Sequence, residues 1–145
     1  MTEKTIDHVL RATWQAVAKS YNEEAGKYGA TMAIAFTLLN IDKDGTASTA
    51  LGPKMGMEAT SLSRTLKNME DKGLIYRKRN PDDGRSVLVF LTEYGIEMRN
   101  ISKEKVLIFN ESIYNNISAE KIAHFHEVSN IIVDLIQQRK IFNKK

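Results

Sequence analysis

Residues 57–95 leave the chain little freedom in how to fold. MEATSLSRTLKNMEDKG (57–73) reads as a helix with Leu62, Leu66 and Met69 along one face. Gly73 stands where a left-handed residue ends a helix, and Leu74 can pack back on Met69. Two strands follow, LIYRKR (74–79) and SVLVFL (86–91), joined by NPDDGR (80–85). Pro and Asp-Gly are turn chemistry, while Val, Leu and Phe fill strands. Helix, strand, charged turn, strand is the layout of a winged helix.

The rest of the chain reads as helices. Over residues 4–28, Ile6, Leu10, Trp14, Val17 and Tyr21 recur at spacings of three and four, and Gly26 and Gly29 bracket the end. Residues 31–41 form a short, apolar, buried helix. Asp42 to Gly45 make a turn, and Thr46 can cap a short helix ending near Lys54 or Met55. Pro53 sits late in that helix, which should therefore be short or irregular. Thr92 caps a long helix to about Asn116, and Ser118 caps the last one, with Ile117 and Ile122 as a hydrophobic staple. The fold expected is mainly α with a small β-wing. A winged helix-turn-helix core, about 31–92, is flanked by N- and C-terminal dimerisation helices, about 4–28 and 93–140. All belong to one domain, 1–145.

The 145 residues, 42% hydrophobic and 27% charged, suit one soluble domain with one core. No apolar run approaches the roughly 20 residues of a membrane span. The amino terminus shows neither an apolar core nor a cleavage site for export. With no cysteine there are no disulfides and no thiol switch, which fits a cytoplasmic protein. Within residues 64–85, seven cations (Arg64, Lys67, Lys72, Arg77, Lys78, Arg79, Arg85) face four acids (Glu70, Asp71, Asp82, Asp83). Their excess equals the whole chain's +3. Such a patch is what phosphate contact requires, although charge alone equally fits a solvated hairpin.

The surrounding motif moves the balance toward duplex DNA. A helix fits the major groove, and a thin hairpin reaches the neighbouring minor groove. Residues 46–55 would be the supporting helix and 58–72 the recognition helix. Thr60, Ser61 and Arg64 near its start would reach base edges, with Ser63, Lys67 and Asn68 placed for backbone or flanking contact. Arg77, Lys78 and Arg79 would neutralise phosphates, and Arg85 at the hairpin tip would enter the minor groove. Asp83, two residues before Arg85, would hold the turn and orient that arginine rather than act as a catalyst.

At these residues the sequence resembles the MarR family of winged-helix regulators. The family's helix-ending turn is matched by Asn68-Met69-Glu70-Asp71-Lys72-Gly73-Leu74-Ile75. Its wing is matched by Asp83-Gly84-Arg85, then SVLVF, then Leu91-Thr92-Glu93-Tyr94-Gly95. The resemblance implies a homodimer that binds a roughly palindromic operator and represses nearby genes. It also implies recognition-helix contacts at Thr60, Ser61, Ser63, Arg64, Lys67 and Asn68, and a wing contact at Arg85. Two departures stand out. The supporting helix reads ALGPKMGM where relatives show a more regular Leu-Ala-x-x-Leu pattern, and Glu58 is a poor N-cap.

Dimerisation is also expected from the residues alone. Phe109, Ile113, Phe125, Ile132 and Ile136 would expose a large apolar patch in a monomer. The family resemblance further implies a small aromatic or lipophilic effector, for which Arg11, Trp14 and Tyr21 are candidate lining residues. No cofactor and no metal are expected. His124 and His126 lie two apart on a helix and point away from each other, with His8 distant. No P-loop, Rossmann glycine pattern or nucleophile elbow supports an enzyme. The competing readings are a winged-helix protein-interaction module without DNA binding and an enzyme with an unrecognised site.

Overall fold

The computed structural model describes residues 4–143. Its elements are α1 (Ile6–Gly26), α2 (Met32–Leu39), β1 (Thr46–Ala47), α3 (Ser48–Met55), α4 (Ala59–Asp71), β2 (Ile75–Arg79), β3 (Val87–Leu91), α5 (Glu93–Asn116) and α6 (Ala119–Gln137). They fall into two compact units. The first ends at Glu104 and the second begins at Lys105, so the division lies within α5.

Each helix start expected from a hydroxyl cap, except one, has that cap in place. Thr92 Oγ1 accepts the Gly95 N–H at 3.0 Å, and Ser118 Oγ accepts that of Lys121 at 3.3 Å. Thr5 and Thr31, not singled out from the sequence, do the same for α1 and α2. The exception is Thr46, which caps no helix. It lies in β1, opposite Val89 of β3, and its hydroxyl accepts the Asp42 N–H at 2.8 Å. Ala47 occupies the N-cap of α3 and makes no side-chain cap bond. The sheet is therefore three-stranded and antiparallel, in the order β1-β3-β2. As the late Pro53 implies, α3 is short, eight residues with the proline inside. Proline supplies no N–H to the carbonyl of Thr49, so α3 lacks that helical bond.

The core of the first unit is one cluster drawn from α2, α3, α4, the sheet and the start of α5. Ile34, Leu38, Ile41, Leu51, Leu62, Leu66, Met69, Leu74, Ile75, Val89 and Met98 are all buried there. Helix α4 ends as its sequence dictates. Gly73 takes a left-handed φ of 75°, the Leu74 N–H reaches back to the Met69 carbonyl at 2.9 Å, and the Gly73 N–H reaches that of Glu70 at 3.0 Å. The chain then enters β2, returns along β3, and meets the same point again. Thr92 donates its N–H to the Leu74 carbonyl at 3.1 Å and its hydroxyl to the Gly73 carbonyl at 2.6 Å. Helix α5 leaves from there by way of Gly95. A Cβ on Gly95 would fall 2.0 Å from the Leu74 carbonyl oxygen, so only a bare Cα lets α5 rest on the end of α4.

In the second unit no residue of α6 is buried, and neither is any residue of α1 in the first. Among the described residues, no helix is long and apolar enough to cross a membrane.

The Gly95 contact yields a direct test. Gly95→Ala should destabilise the protein by about 3 kcal/mol, the upper part of the range for overpacking, because the obstacle is backbone that cannot rotate away. Urea unfolding followed by circular dichroism measures it.

Candidate nucleic-acid interface

Helix α4 divides cleanly by its own periodicity. Leu62, Leu66 and Met69 are buried, while Thr60, Ser61, Ser63, Arg64, Lys67 and Asn68 are all exposed. The six polar residues singled out from the sequence therefore share the solvent side of one rigid helix. Packing on the opposite side fixes that helix, and a three-residue turn (56–58) separates it from α3. Its N-terminus is free of capping side chains, since Glu58 stands at the N-cap without a side-chain bond.

The hairpin loop, residues 80–86, is held by its own side chains. Asn80 Nδ2 donates to Ser86 Oγ at 2.9 Å, and Asn80 Oδ1 accepts the Asp82 N–H at 3.0 Å. Asp83 Oδ1 accepts the Arg85 N–H at 3.0 Å. The carboxylate of Asp83 thus engages the backbone of Arg85, and the Arg85 side chain is exposed. Ser86 is buried, its N–H bonded to the Asp83 carbonyl at 3.1 Å. Sequence reading passed over Asn80 and Ser86. An Asn two residues ahead of an aspartate in a turn was the available signal, because Asn side chains accept from the backbone two residues on.

The three consecutive cations of β2 have three different surroundings. The strand register pairs Arg77 with Val89, Lys78 with Leu88 and Arg79 with Val87, so Lys78 faces away from the other two. Arg77 is gripped by Glu70 in the last turn of α4: Nε to Oε2 at 3.2 Å and a terminal nitrogen to Oε1 at 3.1 Å. That bond chiefly holds the Glu70 carboxyl below its ordinary pKa. The ammonium of Lys78 lies 5.6 Å and 5.7 Å from the ring centres of Tyr76 and Phe90, which stack on each other at 5.2 Å. The Arg79 guanidinium folds along the hairpin, 3.7 Å from where a Cβ of Gly84 would stand. Among the described residues, Arg77 is the one member of the expected DNA-contacting cations that forms an ion pair. Lys72, counted in the basic patch, donates to the Gly29 carbonyl.

The three residues considered for an effector are dispersed along α1. Trp14 lines a mainly apolar cavity of about 360 Å³ with Met32, Phe36, Asn40, Lys54 and Met57. Arg11 pairs with Asp7 at 3.4 Å on the helix surface. Tyr21 stands edge-on to Phe36, ring centres 5.4 Å apart, and burial raises its hydroxyl pKa. Among the described residues, no group of three or more His, Asp or Glu side chains is placed to hold a metal ion.

Residues 32–87 match the model of the MarR family. The YdgJ protein of Bacillus subtilis, described as an uncharacterised HTH-type transcriptional regulator, is 35% identical over 78 residues. That stretch covers 54% of this chain and 48% of YdgJ, so the chain matches about half of that relative's length. The HTH-type transcriptional regulator SarZ of Staphylococcus epidermidis is 27% identical over 135 residues, covering 91% of this chain and 84% of SarZ. Among solved structures, S. aureus MepR in its DNA complex superposes with a TM-score of 0.84 at 18% identity, over 91% of this chain and 98% of MepR. At that identity the superposition establishes the winged-helix fold.

The empty N-cap of α4 can be filled. Glu58→Ser should stabilise the protein by about 0.5–1 kcal/mol, by supplying an acceptor for an orphan N–H of the first turn. Thermal unfolding of the two proteins measures the gain.

Proposed function

We propose that the chain, whose residues 32–87 match the MarR family model, acts as a whole as one MarR-like, sequence-specific DNA-binding transcriptional regulator. In this reading it is a cytoplasmic repressor, works as a homodimer on a pseudo-palindromic operator, and has no catalytic role. One observation carries the proposal: all six polar candidates of α4 are exposed on a helix whose opposite side is buried, with Arg85 exposed on a tied hairpin. Thr60, Ser61 and Arg64 then read base edges in the major groove. Ser63, Lys67, Asn68, Lys78 and Arg79 track phosphates, and Arg85 enters the adjoining minor groove.

Two recognition helices are supplied by two copies. Trp14 is 56% exposed on α1, and Phe125 and Ile136 are 58% and 59% exposed on α6. Apolar faces of this extent are what subunits bury against each other. The resulting pair would set its recognition helices about 34 Å apart, one turn of duplex. The cavity beside Trp14 supports an effector of aromatic or lipophilic character. Such a ligand releases DNA only if it binds the DNA-free arrangement more tightly.

Selection of bound duplexes from a random pool by the purified protein tests this reading. A symmetric consensus is the expected result, and the absence of any enriched duplex would leave the protein-interaction reading in its place. On the selected site, Arg64→Ala should lose about 1–3 kcal/mol of base discrimination. Lys78→Ala should weaken all sequences evenly and lower the salt slope by about 0.9. Arg85→Ala should matter most where the flanking minor groove is A·T-rich.

The oligomeric state is tested separately. Light scattering coupled to size-exclusion chromatography should give twice the chain's mass, and aspartate in place of Phe125 or Ile136 should shift the protein toward the single-chain mass. A single-chain mass for the unmodified protein rejects the dimer.

A further inference from the structure

Glu70 stands where a carboxylate is unwelcome. It lies in the last turn of α4, next to Asp71, and that turn holds no basic residue. The negative end of the helix dipole lies there, and an acid in that position is destabilising unless something offsets it. The offset comes from Arg77, whose planar guanidinium meets both carboxylate oxygens, at 3.2 Å and 3.1 Å. The two residues are seven apart in sequence and belong to different elements, the recognition helix and the first strand of the hairpin. Both side chains are partly shielded, 41% and 31% exposed, in contrast to the open Arg11–Asp7 pair on α1.

Resting on the DNA-binding reading above, we propose that Glu70 is a positioning residue that clamps the recognition helix to the hairpin through Arg77 and withdraws Arg77 from phosphate contact. Two consequences follow from the geometry. A bidentate pair fixes direction as well as distance, so α4 and β2 approach the two grooves as one rigid piece. Neutralising one of three adjacent cations also lowers the affinity for any duplex while leaving base contacts untouched. That loss falls equally on all sequences, so it sets overall affinity and salt dependence and not base preference. Arg77 therefore serves recognition through Glu70, while Lys78 serves it through phosphate.

The two roles separate by salt titration of the full-length protein on its selected duplex and on an unrelated one. Glu70→Gln keeps the size and removes the charge, leaving Arg77 free. The slope of log affinity against log salt should steepen by about 0.9, and binding to the unrelated duplex should tighten about eightfold at 0.1 M salt. Arg77→Ala should leave the slope unchanged while weakening the selected site, whereas Lys78→Ala lowers the slope. Arg77→Lys should behave like Arg77→Ala at the selected site, because an ammonium cannot make the paired bonds. Hydrogen exchange without DNA gives an independent reading: amides of β2 and of the last turn of α4 should exchange faster in Glu70→Gln. An unchanged slope and unchanged exchange in Glu70→Gln overturn the clamp, as does a slope lowered by Arg77→Ala. If the unmodified protein selects no duplex, the DNA reading fails, and the exchange comparison alone then decides whether the clamp exists.

Discussion

The architecture of the first unit turns on the few atoms where α4 ends and α5 begins. The Thr92 hydroxyl donates to the Gly73 carbonyl and accepts from the Gly95 N–H, and the Leu74 carbonyl accepts from the Thr92 N–H. Between the first contact and the last lies the whole β-hairpin, which leaves at Leu74 and comes back at Thr92. Both of its ends are therefore tied to the C-terminus of α4. The bare Cα of Gly95 is what lets the third partner in, because α5 rests on a carbonyl that no side chain could approach so closely. The Leu-Thr-x-x-Gly pattern is thus a set of three physical requirements: an apolar strand end, a hydroxyl that bonds in both directions, and the absence of a Cβ.

With its base tied, the hairpin can be charged without being loose. Its loop satisfies its own backbone through Asn80, Asp83 and Ser86, so the Arg85 side chain is free to face outward. Below the loop, strand geometry distributes the cations. Lys78 shares a face with the stacked rings of Tyr76 and Phe90, which support its ammonium from below. Arg77 and Arg79 share the other face with Val89 and Val87, and from there Arg77 reaches α4. The same alternation that puts Ile75 in the core therefore carries a guanidinium to α4.

This alternation also marks where the sequence was legible and where it was not. Periods of three and four exposed the helices, and the hydroxyls of Thr92 and Ser118 marked two of their starts, because those signals are local. The division of α4 into Leu62, Leu66 and Met69 against Thr60, Ser61 and Arg64 is a property of one helix and was readable as such. Strand β1 was not readable. Two residues carry no alternation, and a threonine before a helix looks like a cap whether or not its hydroxyl is needed elsewhere; the hydroxyl of Thr46 is used by Asp42. The run Arg77-Lys78-Arg79 reads as one phosphate-neutralising stripe, and charge counting does not show which face each residue takes. The partner of Arg77 became visible only with the register, which brings a strand residue over the end of the preceding helix. The Trp14 cavity likewise needed tertiary packing, because Trp14 of α1, Met32 and Phe36 of α2, and Met57 beyond α3 come from separate stretches of chain.

Core and periphery differ in what holds them. Eleven buried hydrophobic residues lock the winged portion, and every one lies between Ile34 and Met98. Helices α1 and α6 have apolar faces and no buried residue. Helix propensity alone is marginal in water, and amphipathic helices take most of their stability from covering an apolar face. With Trp14, Phe125 and Ile136 more than half exposed, these helices lack such cover. If a second copy completes them, the separation of the two recognition helices is set by α1 and α6, while the bases read are set by α4. Assembly and base reading would then be encoded in different parts of the chain: aspartate at Phe125 or Ile136 would separate the copies and leave the surface of α4 as it is.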